Sequence, residues 1–378
     1  MRIHRIIKGL LGVVLAFLIA GGVIYFLSTR PDESRGTVSI WYVGQGGLSA
    51  GLEELCGEYN GSHPRTTLPV SLRAFESEDE LAAECEKALP DLILCSHTRA
   101  FDLGARSQLT ALDAELERAV DYPMTFSSRN AAIGRSFFPV GCDIQVLLIS
   151  SELAADCDFE SFVALAEAAQ EYTAANKQPF YAVDDYAALF FTQLLREGEE
   201  FTGSVRRGAE SENYKALYNL LAECAYTGAL STGSAGAKDV CDGRLTCALT
   251  YTSALYGLDC GDVILRTMPP INAENDTGSR LGTAYGLAVT AGGSRSAGDI
   301  AAFLDWLFSG GRDIKLALGA ALVPAQAGSI ATRSALWEAL LSFDDGSITA
   351  LPGSDADFSA KRAEFDAELR GKMAFLSE

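Results

Sequence analysis

The chain has 378 residues, 48 % of them hydrophobic, with 50 acidic against 30 basic side chains and a net charge of −20. Five basic and two acidic residues fall within the first 35, so the body that follows carries −23. Such a field repels nucleic acid and anionic lipid, which are held by Lys and Arg displacing counterions. The apolar content gives a core large enough for two domains.

Arg2, Arg5 and Lys8 precede an uncharged apolar run, Gly9 to Leu27. About 20 apolar residues in helix cross a hydrocarbon layer. The basic flank before the run, with Asp32 and Glu33 after it, predicts a cytoplasmic N-terminus and an extracellular body. A secretory h-region of about 7–15 residues ending at an A-x-A-like site fits less well, and no Cys precedes Cys56 to accept a lipid. Residues 1–27 are therefore expected to be a cytoplasmic tip and single-pass anchor, with a cleaved signal as the alternative, and 28–36 a polar linker.

Strands and helices then alternate. Thr37–Val43 reads as a strand running into Gly44, Gly46 and Gly47, and the next helix puts Leu48, Leu52, Leu55 and Tyr59 on one face. Val70–Phe75 is a second strand. Ser77-x-x-Glu80 is a capping box opening a helix with Leu81, Cys85 and Ala88 inward, stopped by Pro90. Asp91–Cys95 is a third, wholly apolar strand. Gln145–Ser150 is a strand, and Asp158 is expected to cap a helix with Phe159, Phe162, Ala166 and Ala169 inward. Thr246–Tyr251, Val263–Arg266 and Tyr285–Val289 are later strands. Asp299–Phe308 is a helix burying Ile300, Phe303, Leu304 and Leu307, in which Trp306 is structural. A last helix starts near Asp357 with Phe358, Phe365 and Leu369 on its apolar side. This alternation predicts an α/β fold with mostly parallel sheets flanked by helices.

The nine cysteines (56, 85, 95, 142, 157, 224, 241, 247 and 260) show no repeating spacing and no C-x-x-C. Most read as small buried hydrophobes. Cys241 and Cys247 are the nearest plausible disulfide pair outside the cell.

One set of stretches recurs in a familiar order: Ile40-Trp41, the run from Ala88 through Pro90-Asp91 to Thr98, Phe101 to Ala105, and Leu109 to Asp113. Phe138-Pro139 to Leu153 follows, then Asp158 to Phe162, Gly243 to Gly257, Met268 to Pro270 and Ala297 to Leu307. Together they resemble the extracellular solute-binding proteins of ABC importers, in the maltose-binding-like branch. The resemblance implies a two-lobed periplasmic-binding-protein-like fold, with lobe I as residues 37–139 and 268–320 and lobe II as 140–267 and 321–378. Hinge strands are expected near Pro139–Gln145, Gly261–Thr267 and Ala320–Pro324. It further implies a monomer that closes on a small solute, foremost a mono- or oligosaccharide, and works with ABC permease subunits. Ser150-Ser151 stands where that family usually has Tyr-Asn.

In parallel α/β lobes ligands meet loops beyond the C-terminal strand ends. That places Trp41 and Tyr42 as stacking faces for a sugar, and Gln45 in the Gly44–Gly47 loop at a helix N-terminus. A dinucleotide fingerprint fails there, because Ser49 stands where a third Gly is needed. Ser96, His97 and Thr98 are candidate cleft lining; Cys95 and His97 without further ligands make a poor metal site. Asp143 sits at the crossover, Asp184 and Asp185 are candidates for sugar hydroxyls, and Tyr251, Ser253, Tyr256 and Tyr285 follow or lie in later strands. Adjacent carboxylates do not flank a glycosidic bond as hydrolysis requires. The expected role is capture without catalysis and without a cofactor or metal. Alternatives are a sensor ectodomain, a binder of a cationic solute such as a polyamine, a glycoside hydrolase, and a tyrosine-based ferric-iron site.

Overall fold

The computed structural model describes residues 36–44, 46–62, 67–112, 136–151, 159–196, 211–233, 235–260, 263–271, 280–292, 297–325, 334–343, 348–350 and 356–378. The predicted anchor Gly9–Leu27, the linker up to Arg35, Gln45 and Asp158 lie outside them. Among the described residues no helix is long and apolar enough to cross a membrane.

The first elements are β1 (Val38–Val43), α1 (Gly47–Ser62), β2 (Val70–Phe75), α2 (Glu78–Cys85), β3 (Leu92–Ser96) and α3 (His97–Ala105). The serine half of the capping box forms, Ser77 Oγ accepting from the Glu80 amide at 3.2 Å, while the Glu80 carboxylate reaches one residue further back and accepts from the Glu76 amide at 2.9 Å. Helix α2 ends at Cys85, before the Pro90 stop, which leaves Ala88 exposed rather than inward. Asp91 ties β3 to β1, its Oδ2 accepting from the Ser39 amide at 2.7 Å and the Ser39 hydroxyl at 2.8 Å.

The 14-residue β4 (Phe137–Ser150) follows. Next come α4 (Phe162–Asn176), β5 (Tyr181–Val183), α5 (Tyr186–Arg196), α6 (Glu212–Tyr226), β6 (Leu230–Ser231), α7 (Gly236–Cys241) and β7 (Cys247–Tyr251) with a 3-10 turn at Thr252–Leu255. Helix α4 is capped by Ser161, whose hydroxyl accepts from the Ala164 amide at 3.2 Å. The rest of the described chain is β8 (Val263–Thr267), β9 (Arg280–Val289), α8 (Ala297–Phe308), α9 (Arg312–Gly319), β10 (Val323–Pro324), α10 (Ala335–Leu341), β11 (Ile348–Ala350) and α11 (Ala356–Ser377).

Strand order is β2-β1-β3-β9-β4-β7-β5-β6, with β8 and β10 also on β4 and β11 on β9. Residues Phe137–Ile144 of β4 pair with β9, and Gln145–Ile149 pair with β7. One strand thus belongs to two sheets, changing partners between Ile144 and Gln145. The expectation of mostly parallel sheets is corrected. The outer pairs β1/β2, β1/β3, β5/β6 and β5/β7 are parallel, but β3/β9, β4/β9, β4/β7 and β4/β8 are antiparallel. The sequence alternation alone makes β4 and β9 two more parallel units, yet they run against their neighbours at the centre. Where β4 bulges between Pro139 and Gly141, β9 comes very close: a Cβ on Gly286 would stand 2.6 Å from Pro139 Cα. Only glycine fits there.

Alternate residues of β4 feed different cores. Cys142, Ile144, Val146 and Leu148 join a cluster with Trp41, Ile93 and Leu265, while Leu147 and Ile149 join Phe162, Tyr181, Phe190 and Leu221. A third cluster packs Ile40, Leu52 and Tyr59 against Phe303 and Trp306, as expected for Trp306. In α11, Leu369 and Met373 are buried.

Among the described residues a disulfide joins Cys241 to Cys260, not to Cys247. Cys247 points from β7 into the second-sheet core, whereas Cys241 ends α7 and Cys260 follows the 3-10 turn, both half-buried against the other core cluster. Proximity in sequence was the wrong guide because the strand carries Cys247 inward.

Asp313, in the first turn of α9, is fully buried, and neither carboxylate oxygen makes a hydrogen bond of normal geometry. Burial pushes its pKa up to about 6, opposed in part by the nearby amides of Ile314 and Asp313 itself. A raised folded-state pKa means that its contribution to stability is full below the unfolded value near 4 and is lost as pH rises through about 6. Asp313→Asn should therefore be more stable than the parent at pH 7.5, by about 2–3 kcal/mol, with the gap closing near pH 4. Denaturation midpoints at both pH values check this, and a less stable variant at pH 7.5 would show that Asp313 is charged and paired.

Candidate functional site

The polar side chains that come together do so where β4 changes sheets. Asp143 and Gln145 project from the same face of β4, two residues apart. Asp143 is 8 % exposed. Its Oδ1 accepts from Thr252 Oγ1 at 3.0 Å and the Ser253 amide at 2.9 Å, and its Oδ2 from Ser253 Oγ at 2.6 Å. Burial raises its pKa, and these three bonds pull it back. The carboxylate thereby pins the 3-10 turn after β7 onto the crossover strand.

Gln145 lies opposite Tyr251 in the β4/β7 register. Its Nε2 donates to the Asp185 carbonyl at 3.0 Å. Because that partner only accepts, the amide orientation is fixed and Oε1 faces away, buried and without a partner. Asp185 begins α5, with Oδ1 accepting from the Ala188 amide at 2.8 Å, the usual N-cap bond. Its Oδ2 accepts from Tyr251 Oη at 3.2 Å and forms an ion pair with Arg362 of α11. Arg362 also donates to Tyr251 Oη at 2.7 Å. Burial first, then Asp185, pushes the Tyr251 pKa up, while Arg362 opposes them. Tyr285 of β9 is pushed up to about 12 by burial and by Asp143. Both phenols therefore remain neutral donors at physiological pH.

The other candidates are placed differently. Asp184 turns inward, its Oδ1 accepting from the Gly236 amide at 2.8 Å and its Oδ2 from Thr250 Oγ1 at 2.5 Å. It thus caps α7, whose own N-cap Ala235 supplies no side-chain bond. Ser96 and His97 are not loop lining, because α3 starts directly after β3. Ser96 Oγ caps the helix by accepting from the Arg99 amide at 3.3 Å, and buried His97 Nδ1 accepts from the Ala284 amide at 3.2 Å. Trp41 is 9 % exposed, its ring 5.3 Å from Phe75 with the Arg73 guanidinium 4.9 Å above it. It is packed as a core residue. Tyr42 lies on the opposite face of β1 and donates to Glu53 Oε1 at 2.5 Å, and burial followed by Glu53 raises its pKa to about 12. Among the described residues no group of three or more His, Cys, Asp or Glu is gathered to hold a metal.

Arg362 and Gln145 were missed. Arg362 sits on a C-terminal amphipathic helix 177 residues from its ion-pair partner, and no local motif marks it. Gln145 was legible only as a strand residue, although a polar residue within the otherwise apolar stretch Ile144–Ile149 was a usable signal.

Removing the Asp143 carboxylate should release the turn that carries Ser253. Asp143→Ala is expected to cost about 1–3 kcal/mol through the buried donors left behind, while Asp184→Ala should instead loosen α7. Urea midpoints, with amide exchange resolved by segment, check both; an unchanged midpoint in Asp143→Ala would mean that the turn is held by other contacts.

No family model matches the chain, and no curated protein matches it. Solved structures do. The cyclic α-maltosyl-1,6-maltose binding protein from Arthrobacter globiformis superposes with a TM-score of 0.68 at 14 % identity, covering 90 % of this chain and 95 % of that one. UgpB from Mycobacterium tuberculosis, in complex with glycerophosphocholine, gives 0.68 at 17 % identity over 90 % and 96 %. Maltose-bound MalE3 of T. maritima gives 0.66 at 13 % identity over 90 % and 95 %. At these identities the likeness is one of fold, and the chain has the two-lobed α/β fold of the periplasmic solute-binding proteins.

Proposed function

We propose that the protein is a membrane-anchored extracellular solute-binding protein that captures a neutral saccharide by closure of its two lobes and presents it to the permease subunits of an ABC importer. The observation that carries this reading is the charge state of the crossover site. Both of its central carboxylates are already compensated, Asp143 by three donors and Asp185 by Arg362 and the Ala188 amide. A site that leaves no carboxylate open favours hydroxyl groups over a polyamine, and it leaves neither acid free for glycoside hydrolysis. Tyr251, Tyr285, Ser253 and Arg362 offer the mixed donors and acceptors that sugar hydroxyls need. The similarity in fold to proteins whose names record maltose-type ligands supports the same class.

We place the passage between lobes at Ile144–Gln145, where β4 exchanges partners. Closure then requires a ligand with differential contacts in the closed state. Titration of the full chain with maltose, maltotriose and spermidine, with scattering on the same samples, tests the proposal. A sugar is expected to bind and reduce the radius of gyration, and Arg362→Ala to weaken it by about 10- to 150-fold, the equivalent of losing one charged hydrogen bond. Binding of spermidine but no sugar, or an unchanged radius at saturation, would refute it.

Anchoring rests on the uncharged run Gly9–Leu27. The chain is expected to stay in membranes through a carbonate wash with its N-terminus intact; a soluble form beginning near residues 21–36 would identify a cleaved signal.

A further inference from the structure

The Gly-rich loop before α1 and the loop after β7 belong to opposite sheets, yet they meet. A Cβ placed on Gly47 would lie 2.6 Å from Ala320 Cα and 2.7 Å from ring carbons Cδ2 and Cε2 of Tyr256. Gly47 is buried, so the Tyr256 ring lies against bare backbone at the start of α1, and any larger residue would push it off. Tyr256 nevertheless remains 45 % exposed, and it follows the 3-10 turn at the end of the β7 arm. The turn that carries it is held by Asp143 on Thr252 and Ser253 and by the buried Leu255. Backbone bonds of the segment include Tyr256 N to Ser253 O at 3.1 Å and Leu258 N to Leu255 O at 3.2 Å. Four residues after Tyr256 comes Cys260, bonded to Cys241 at the end of α7 across a sequence separation of 19. Helix α7 is itself fixed by Asp184 on the Gly236 amide. The disulfide therefore closes a loop containing β7, Tyr251, Thr252, Ser253 and Tyr256, and anchors its far end to a capped helix.

We propose that Tyr256, held in place by the Cys241–Cys260 disulfide, is a clasp fastening the second lobe onto the N-terminus of α1, and that reducing the disulfide releases it. In the releasing step a dithiol supplies two electrons. The S–S bond breaks, each sulfur takes up a proton, and the dithiol leaves as its own cyclic disulfide. The clasp requires contact between Gly47 and Tyr256 and includes no contact with a solute.

Hydrogen exchange of the ligand-free full chain tests the clasp, so its failure would leave the solute-binding proposal standing. In the oxidised protein the amides of Gly46–Leu52 should be protected. Dithiothreitol should raise exchange there and in Thr252–Cys260 by about fivefold or more, and the Cys241→Ser, Cys260→Ser double variant should match the reduced parent and ignore the dithiol. Tyr256→Ala, a change at a half-exposed position, should raise exchange at Gly46–Leu52 with the disulfide intact and abolish further response to reduction there. Wild-type exchange at Gly46–Leu52 in Tyr256→Ala overturns the proposal. So does reduction that loosens Thr252–Cys260 alone, or that raises exchange throughout β3 and β4, since the bond would then hold the fold and not a clasp.

Discussion

Strand β4 has to satisfy two sheets and three packing clusters with a single run of backbone. Its first half needs donors and acceptors spaced for β9, its second half for β7 and β8, and all but the last of its residues are buried. A buried strand that changes partners has a point where neither sheet dictates the side chain. That point is Asp143 to Gln145. Apolar residues there would simply fuse the two sheets into one slab. The polar pair instead draws in the turn Thr252–Ser253 on one side and the start of α5 on the other, each by hydrogen bonds that replace the water lost on burial. The site is thus a consequence of the crossover and is positioned by it.

Much of the fold was legible in the sequence because its elements announce themselves locally. The Ser77–Glu80 box, the apolar run at Leu92–Cys95 and the 3.6-residue spacing of Ile300, Phe303, Leu304 and Leu307 each follow from short-range rules. What was not legible is strand direction. An apolar run at Tyr285–Val289 reads the same whether it runs with or against β3, and only the return of the chain across β4 decides it. The cysteine pairing failed for the same reason, since Cys247 is turned inward by its register in β7.

The site was half legible. Asp143, Asp185, Tyr251, Ser253 and Tyr285 were singled out from strand ends, and the fold brings them to one region. Asp184 and Asp185 looked equivalent in sequence. One caps α7 and the other enters the site, because the strand-to-helix turn between them points successive side chains in opposite directions. Trp41 attracted a stacking role by its place at a strand end, but Phe75 and Arg73 already cover its faces. Position along a strand says where a side chain starts, and the neighbouring strand decides what it touches.

Arg362 shows how remote chain enters such a site. Helix α11 is fastened to the start of α5 by Asp366, whose Oδ1 accepts from the Tyr186 amide at 2.7 Å, and by Arg370, which donates to the Asp184 carbonyl at 2.7 Å. These contacts flank the start of α5 and fix the register of α11, so that Arg362, one turn before Asp366, reaches Asp185. The same guanidinium neutralises the carboxylate and orients Tyr251. Removing it would leave the partly buried Asp185 carboxylate with the Ala188 amide and the Tyr251 hydroxyl as donors but without this counter-charge. The charge pairing of Asp185 in the proposed sugar site therefore depends on α11, even though the strands that frame the site lie far from it in the chain.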